Sequence, residues 1–299
     1  MMRNLISITL LAGAILLCAQ PAGPKTYATP EEARDALVQA AKNGLDAVRD
    51  LLGPTSTDIL RTGDPVQDQT ALDKFNQRAA QKTKLEADPM NPDQVTLLLG
   101  DEEFPFAVPL ERKDGRWYFD VQEGKAEIRR RVIGQNELDA IEVCRGYVEA
   151  QEDYAEGDWD GKGVHQYAQK IASSPGKKDG LYWDGEDSPV AAAFAKAASQ
   201  GYSAPSSAGK GYHGYMYKVL LSQGPDAEGG AQDYVVHGLM IGGFALVAWP
   251  AEYGVSGIMT FIVNQDGVVY EKDLGTHTNA AVKAMTRFNP DKTWKPSAD

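Results

Sequence analysis

Two segments of this chain carry periodicities that need each other. Between Asn136 and Tyr154, NELDAIEVCRGYVEAQEDY, apolar residues recur at helical spacing. Between Gly243 and Gly275, GFALVAWPAEYGVSGIMTFIVNQDGVVYEKDLG, short β-branched and aromatic runs are separated by turn residues. A helix with one apolar stripe and a sheet with one apolar face must each be covered. The pairing predicts an amphipathic helix packed on an antiparallel sheet. Asn136 reads as the helix N-cap, and Leu138, Ile141, Cys144, Val148 and Ala155 as the buried stripe. Four strands are expected, at Tyr215 to Leu221, Phe244 to Trp249, Ile258 to Val263 and Val268 to Lys272. Asp266-Gly267 joins the last two as a hairpin, and Thr278 to Met285 forms a short closing helix.

The half that precedes this pair has its own signals. Thr29-Pro30-Glu31-Glu32 offers an N-cap, a proline at the first helical position and a capping-box glutamate. Helical spacing then runs through Ala33, Leu37 and Ala41, and again through Leu45, Val48 and Leu52 up to Gly53-Pro54. A further amphipathic stretch holds Leu72, Phe75 and Ala79. Strand runs follow at Val95 to Leu99, Phe106 to Leu110 and Arg116 to Val121, with Asp114-Gly115 as a hairpin turn. Residues 123–135, with Arg129-Arg130-Arg131, read as a charged connector. The expected fold class is therefore α+β in two domains, residues 26–125 and 133–299.

The first 22 residues read as a signal peptide. Arg3 precedes an apolar run from Leu5 to Leu17, and small residues follow. The run is shorter than the roughly 20 apolar residues that a membrane span needs. No transmembrane segment is expected in the mature chain. Cys18 offers a rival, a lipid anchor, but Leu17 stands where a lipidation signal calls for a small residue. Removal of the leader leaves Cys144 as the sole cysteine and excludes an intramolecular disulfide. Its place on the apolar stripe reads as a buried, inert thiol.

The formal net charge is −12. That balance argues against nucleic acid and against anionic lipid surfaces as partners.

Chemistry-bearing patterns are sparse. Asp158-Trp159-Asp160-Gly161-Lys162-Gly163 follows the main helix as a calcium loop would. Glu156, Asp158 and Asp160 are the candidate ligands, but Lys162 puts a cation at a ligand position. The alternative is an acidic surface turn and no cofactor. His165, His213, His237 and His277 lack zinc-motif spacing, and His213, in GYHGYMY, reads as part of a sheet face. There is no phosphate loop, dinucleotide fingerprint or nucleophile elbow. Aromatic residues are better placed. Tyr182 and Trp183 with Trp159, and Tyr212, His213 and Tyr215, form a candidate ligand patch for sugars or peptides. The word KKDGLYW, Lys177 to Trp183, mixes lysines, a turn and aromatics in a loop.

Three resemblances add to this. Residues 26–122, helices followed by a meander ending in GRWYFD, resemble the α+β cone of nuclear-transport-factor-like domains. The later half is similar to the soluble head of type IV pilin-like proteins, through Asn136, Glu137, Ala150, Gln151, Tyr154, Thr260, Phe261, Asp266 and Gly267. A whole domain precedes this helix where pilins carry a long apolar one, so that likeness implies a fold and not a filament. The words TPEEA, ILRTGDPV, DGRWYFD, IGQNELDAI, KKDGLYW and GGFALVAWPAEYG resemble the bacterial family called domain of unknown function 2950. That implies an exported bacterial protein. Taken together, the expected role is a non-enzymatic binding or assembly module of the envelope, its partner an envelope protein or polymer. The alternative is a hydrolase of envelope polymers in which acids converge with His165 or His213.

Overall fold

The computed structural model describes residues 23–61, 65–159, 161, 163–183, 188–189 and 211–298. The leader, Cys18, Asp160 and Lys162 lie outside the described residues. The chain is α+β and divides into two compact units on either side of Ile128/Arg129.

The first unit opens with α1 (Pro30–Lys42) and α2 (Leu45–Leu52). The expected capping box forms: Glu32 N–H donates to Thr29 Oγ1 at 3.2 Å, and Ala28 N–H to the Glu32 carboxylate at 3.0 Å. The short α3 (Thr57–Leu60) and then α4 (Pro65–Gln81) follow. The strands are β1 (Thr83–Ala87), β2 (Gln94–Leu99), β3 (Phe104–Pro105), β4 (Leu110–Lys113) and β5 (Arg116–Phe119). They pair antiparallel in the order β1-β2-β4-β5, with β3 on β2. Leu37, Leu52, Leu97, Leu110 and Phe119 fill the space between helices and sheet.

The charged connector expected over residues 123–135 is instead helix. α5 runs from Val121 to Ala155, 35 residues. Its N-cap is Asp120, whose carboxylate accepts the N–H groups of Gln122 and Glu123 at 2.8 and 3.1 Å. Asn136 is interior to the helix, and its amide donates to Ser256 O at 2.8 Å. The buried stripe is also shifted from the expected one. Leu138 is 59% exposed, while Tyr147 and Gln151 are fully buried beside Cys144. Burial pushes the Cys144 thiol up to about 12, which leaves it protonated and inert.

In the second unit, five strands form the main sheet: β6 (Tyr215–Leu220), β11 (Ala245–Pro250), β12 (Met259–Asn264), β13 (Tyr270–Asp273) and β14 (Lys295–Pro296). Their order is β14-β13-β12-β11-β6, all antiparallel. Two short pairs lie between β6 and β11 in the chain. They are β7 (Ser222–Gln223) with β8 (Gln232–Asp233), and β9 (Val235–Val236) with β10 (Leu239–Met240). α5 covers one face of the main sheet through Cys144 and Tyr147, and the Tyr147 ring meets Phe244 edge-on at 5.7 Å. α6 (Thr278–Ala284) packs on β11. There Lys218 donates to the carbonyls of Val282 and Met285 at 3.0 and 2.6 Å and closes the last turn of α6.

Two histidines are turn residues. His213-Gly214, before β6, and His237-Gly238, between β9 and β10, each have positive φ at both positions. That is the signature of two-residue type I′ hairpins, in which histidine tolerates the left-handed region better than most side chains. His213 therefore belongs to a turn and not to a sheet face.

Candidate functional site

The end of α5 builds one wall of a groove of about 600 Å³. Tyr154, on the last turn, is buried against the core. Its hydroxyl donates to Lys178 O at 2.7 Å and ties the 170–183 loop to the helix. The chain then turns at Gly157, and the Trp159 indole folds back so that its Nε1–H reaches Tyr154 O at 2.6 Å. A side chain at 157 has no room: a Cβ there would lie 2.4 Å from the indole ring. Glycine at this position is what lets Trp159 lie flat across the chain.

Trp183 arrives from the other end of the loop, and its ring centroid is 4.8 Å from that of Trp159. Tyr154 is 6.0 and 6.2 Å from the two indoles. The Lys178 ammonium sits over both, 4.7 Å from Trp159 and 4.8 Å from Trp183. Trp183 is buried beneath this arrangement, and Trp159 is half-buried at the groove.

The loop is braced by one carboxylate. Asp179 accepts from Lys170 Nζ at 2.7 Å, from Ser174 N–H at 2.7 Å and from Ser174 Oγ at 3.0 Å. Burial opposes its ionisation, but these donors outweigh burial and hold it down to about 2. Backbone bonds from Ser173 N to Tyr182 O and from Tyr182 N to Ile171 O, at 2.8 and 2.9 Å, close the loop.

The opposite wall comes from the segment after the acidic turn and from the His237-Gly238 hairpin. Tyr167 N–H bonds Met240 O at 2.8 Å, and Gln169 Nε2 donates to Gly238 O at 2.8 Å. Behind them, buried Gln151 bonds both Ala168 N and Ala168 O at 2.8 Å and holds this segment on α5. Lys170, Lys177 and Lys178 converge on the lining.

The sequence-derived aromatic patch thus divides in two. Trp159 and Trp183 meet, with Tyr182 beside them in the loop through its bridge to Ala172. Tyr212, His213 and Tyr215 lie at the level of Asp139, fifteen residues earlier on α5, or about 22 Å along its axis. There His213 Nδ1 pairs with Asp139 Oδ2 at 2.8 Å and its ring meets that of Tyr212 at 4.1 Å. Tyr215 is fully buried, packs against Phe261 with the rings tilted by 41° and donates to Met259 O at 2.8 Å. Its size and aromaticity serve the core.

Of the candidate cation ligands, Glu156 and Asp158 are exposed. Asp158 Oδ2 accepts Gly163 N–H at 2.8 Å, an intraloop bond that shapes the turn. Among the described residues, no three His, Cys, Asp or Glu side chains come together as a metal site. His165 Nδ1 lies 2.7 Å from Ala155 O, at the end of α5. The residues that spacing alone did not mark are Tyr154, Tyr167, Lys170 and Asp179. The last two act together, and only Asp179 lies within the mixed word KKDGLYW.

No helix among the described residues is long and apolar enough to cross a membrane. No curated protein and no solved structure matches the chain. One family model does, over residues 24–297, and on that match the chain belongs to the family described as Protein of unknown function (DUF2950).

Proposed function

We propose that this is an exported bacterial envelope protein whose C-terminal unit binds an envelope polymer without transforming it. One observation carries the reading: the groove at the end of α5, with the half-buried Trp159 face in its wall and a braced loop presenting lysines to it. Aromatic faces flanked by a few fixed polar groups suit a binding site. The leader pattern of the first 22 residues supports export. The helix-on-sheet body supports the likeness to a pilin-type head, and in this reading it is a rigid support for the loops. The histidines that a hydrolase would recruit have other employment. His165 contacts the end of α5, whereas His213 pairs with Asp139 far along the helix.

The test is co-sedimentation of the mature chain with washed envelope particles. Trp159→Ala should remove most of the bound protein, and a Tyr212→Ala variant, altered at the other aromatic cluster, should sediment like the parent. Equal sedimentation of the Trp159 variant and the parent refutes the groove. Release of soluble sugar or peptide from the particles, abolished in a groove variant, would favour the hydrolase.

A further inference from the structure

We infer that the helical layer of the first unit holds a single alkyl chain, the tail of a monoacyl lipid or of a fatty acid. The inference is independent of the groove on the second unit and goes beyond it. α1, α2, α3 and α4, with Phe106 directly after β3, surround a space of about 320 Å³. Leu45 and Val48 of α2, Ile59 and Leu60 of α3, and Phe75 of α4 line it. Val48 is buried, but Leu45, Ile59, Leu60, Phe75 and Phe106 are each only half-buried. Five large apolar side chains are thus left with part of their surface uncovered at one place.

Protein interiors rarely leave voids larger than a water molecule, so a space of this size is not a packing fault. Water suits it poorly, because a bound water needs about two to four polar partners. Asp68 is the one polar side chain in the described lining. The volume matches the lower end of ligand pockets, which run from about 300 Å³ upward and are mostly apolar. A dry cavity of about 150 Å³ lined by Leu, Ile and Phe takes up benzene. Twice that room suits roughly ten to twelve carbons, which is one alkyl chain and not the two of a diacyl lipid. Phe75 and Phe106, edge to face at 5.5 Å, form a rigid wall. α3 forms a yielding one. Four residues long, it is tied to α2 by Arg61–Asp46 and to the start of α5 by Lys125–Asp58, both at 2.8 Å. Surface pairs of this kind are weak, so α3 is held in place yet gives way as a chain enters. The described lining offers no side-chain donor for a head group. The head therefore stays in solvent, and the tail is what is recognised.

The full chain after leader removal is titrated calorimetrically with hexyl, octyl, decyl and tetradecyl phosphocholine, each below its micelle concentration. Affinity should rise by about fourfold per methylene up to the decyl chain, from the transfer free energy of one buried CH₂. It should level off by the tetradecyl chain, whose end no longer fits. Decanoate carries the same tail as the decyl probe. Tighter binding of decyl phosphocholine gives the source as a monoacyl lipid, and tighter binding of decanoate gives a fatty acid. Ala71→Phe fills the space from α4, and Leu60→Trp fills it from α3. Either variant, once its circular dichroism melt shows it folded, should bind decyl phosphocholine about tenfold more weakly or worse. Trp159→Ala should bind it like the parent. If neither variant folds, the chain-length series on the parent decides. An affinity that ignores chain length, one that keeps rising through the tetradecyl probe, or no binding at all overturns the inference. Loss of decyl binding in Trp159→Ala overturns it by moving the chain to the groove. Dimerisation that Ala71→Phe abolishes, without alkyl binding, overturns it by giving the space to a second copy.

Discussion

Asp179 shows how one side chain sets the shape of a binding surface. Its carboxylate gathers Lys170, Ser174 N–H and Ser174 Oγ, and so fixes the loop that carries Lys177 and Lys178. The folded-state pKa is depressed to about 2, so its contribution to stability is present above the usual aspartate value and is lost as pH falls through about 2. The loop should hold from neutrality to about pH 4 and loosen between there and pH 2. Trp159 and Trp183 report on it directly, since both contact Lys178. Tryptophan emission should show a transition in that window for the parent, and Asp179→Asn should lack the transition while emitting like the loosened form at pH 7. An identical acid profile in both proteins would show that Asp179 does not brace the loop. The Cys144 thiol gives the opposite case at the same scale. Burial alone raises it to about 12, and the thiol needs no partner to stay inert.

At the scale of elements, α5 organises the second unit, and its Asn136-Glu137 pair does something other than start a helix. The Glu137 carboxylate accepts Ile258 N–H and Met259 N–H at 2.9 and 3.0 Å, at the head of β12, while Asn136 holds Ser256 O. Glu137→Ala leaves two strand-end donors without their acceptor. It should destabilise the chain by about 2 kcal/mol, from the typical cost of losing charge-assisted hydrogen bonds. Urea unfolding followed by circular dichroism checks this, and a loss under 0.5 kcal/mol would show that water replaces the carboxylate freely. Part of this element was legible in advance and part was not. The 3.6-residue spacing of Ile141, Cys144 and Val148 announced the helix. Asn136 misled because asparagine is equally a cap and a helix-to-loop donor, and the choice depends on Ser256, 120 residues away. Gly124, Gly134 and three successive arginines hid the helical character of residues 123–135, and Asp120 looked like the end of a strand when it was the true cap. By contrast the Thr29 capping box and the Asp114-Gly115 turn rest on neighbours in sequence, and both formed as read. The groove follows the same division. Its tryptophans were visible as residue types, but their convergence depends on a fold-back at Gly157 and a brace at Asp179 that no spacing rule encodes.

For the whole molecule, the sharpest question is how stability is divided between its two units. The first has a core of its own, running from Ala33 to Val121 and including Leu37, Leu97 and Phe119. The second has another, from Ala140 to Trp294, including Tyr147, Phe244 and Phe261. Among the described residues the two cores share no buried side chain, and the change-over at Ile128/Arg129 falls inside α5. A helix interior is an unusual place for a boundary, because backbone hydrogen bonding is continuous there. It is tolerable if each half of the helix is fixed by its own core: Val121 and the Asp120 cap by the first, and the stripe from Ala140 to Tyr154 by the second. Helical stability in proteins comes mainly from such packing rather than from propensity, so cutting between the two anchored stretches should fray a turn or two and spare both cores. Fragments 23–128 and 129–299 should therefore each unfold cooperatively in thermal melts, and the second should keep the polymer affinity of the full chain because every groove residue lies within it. Two fragments without cooperative transitions would mean that the unbroken helix is itself the common core element, and that the two units fold as one.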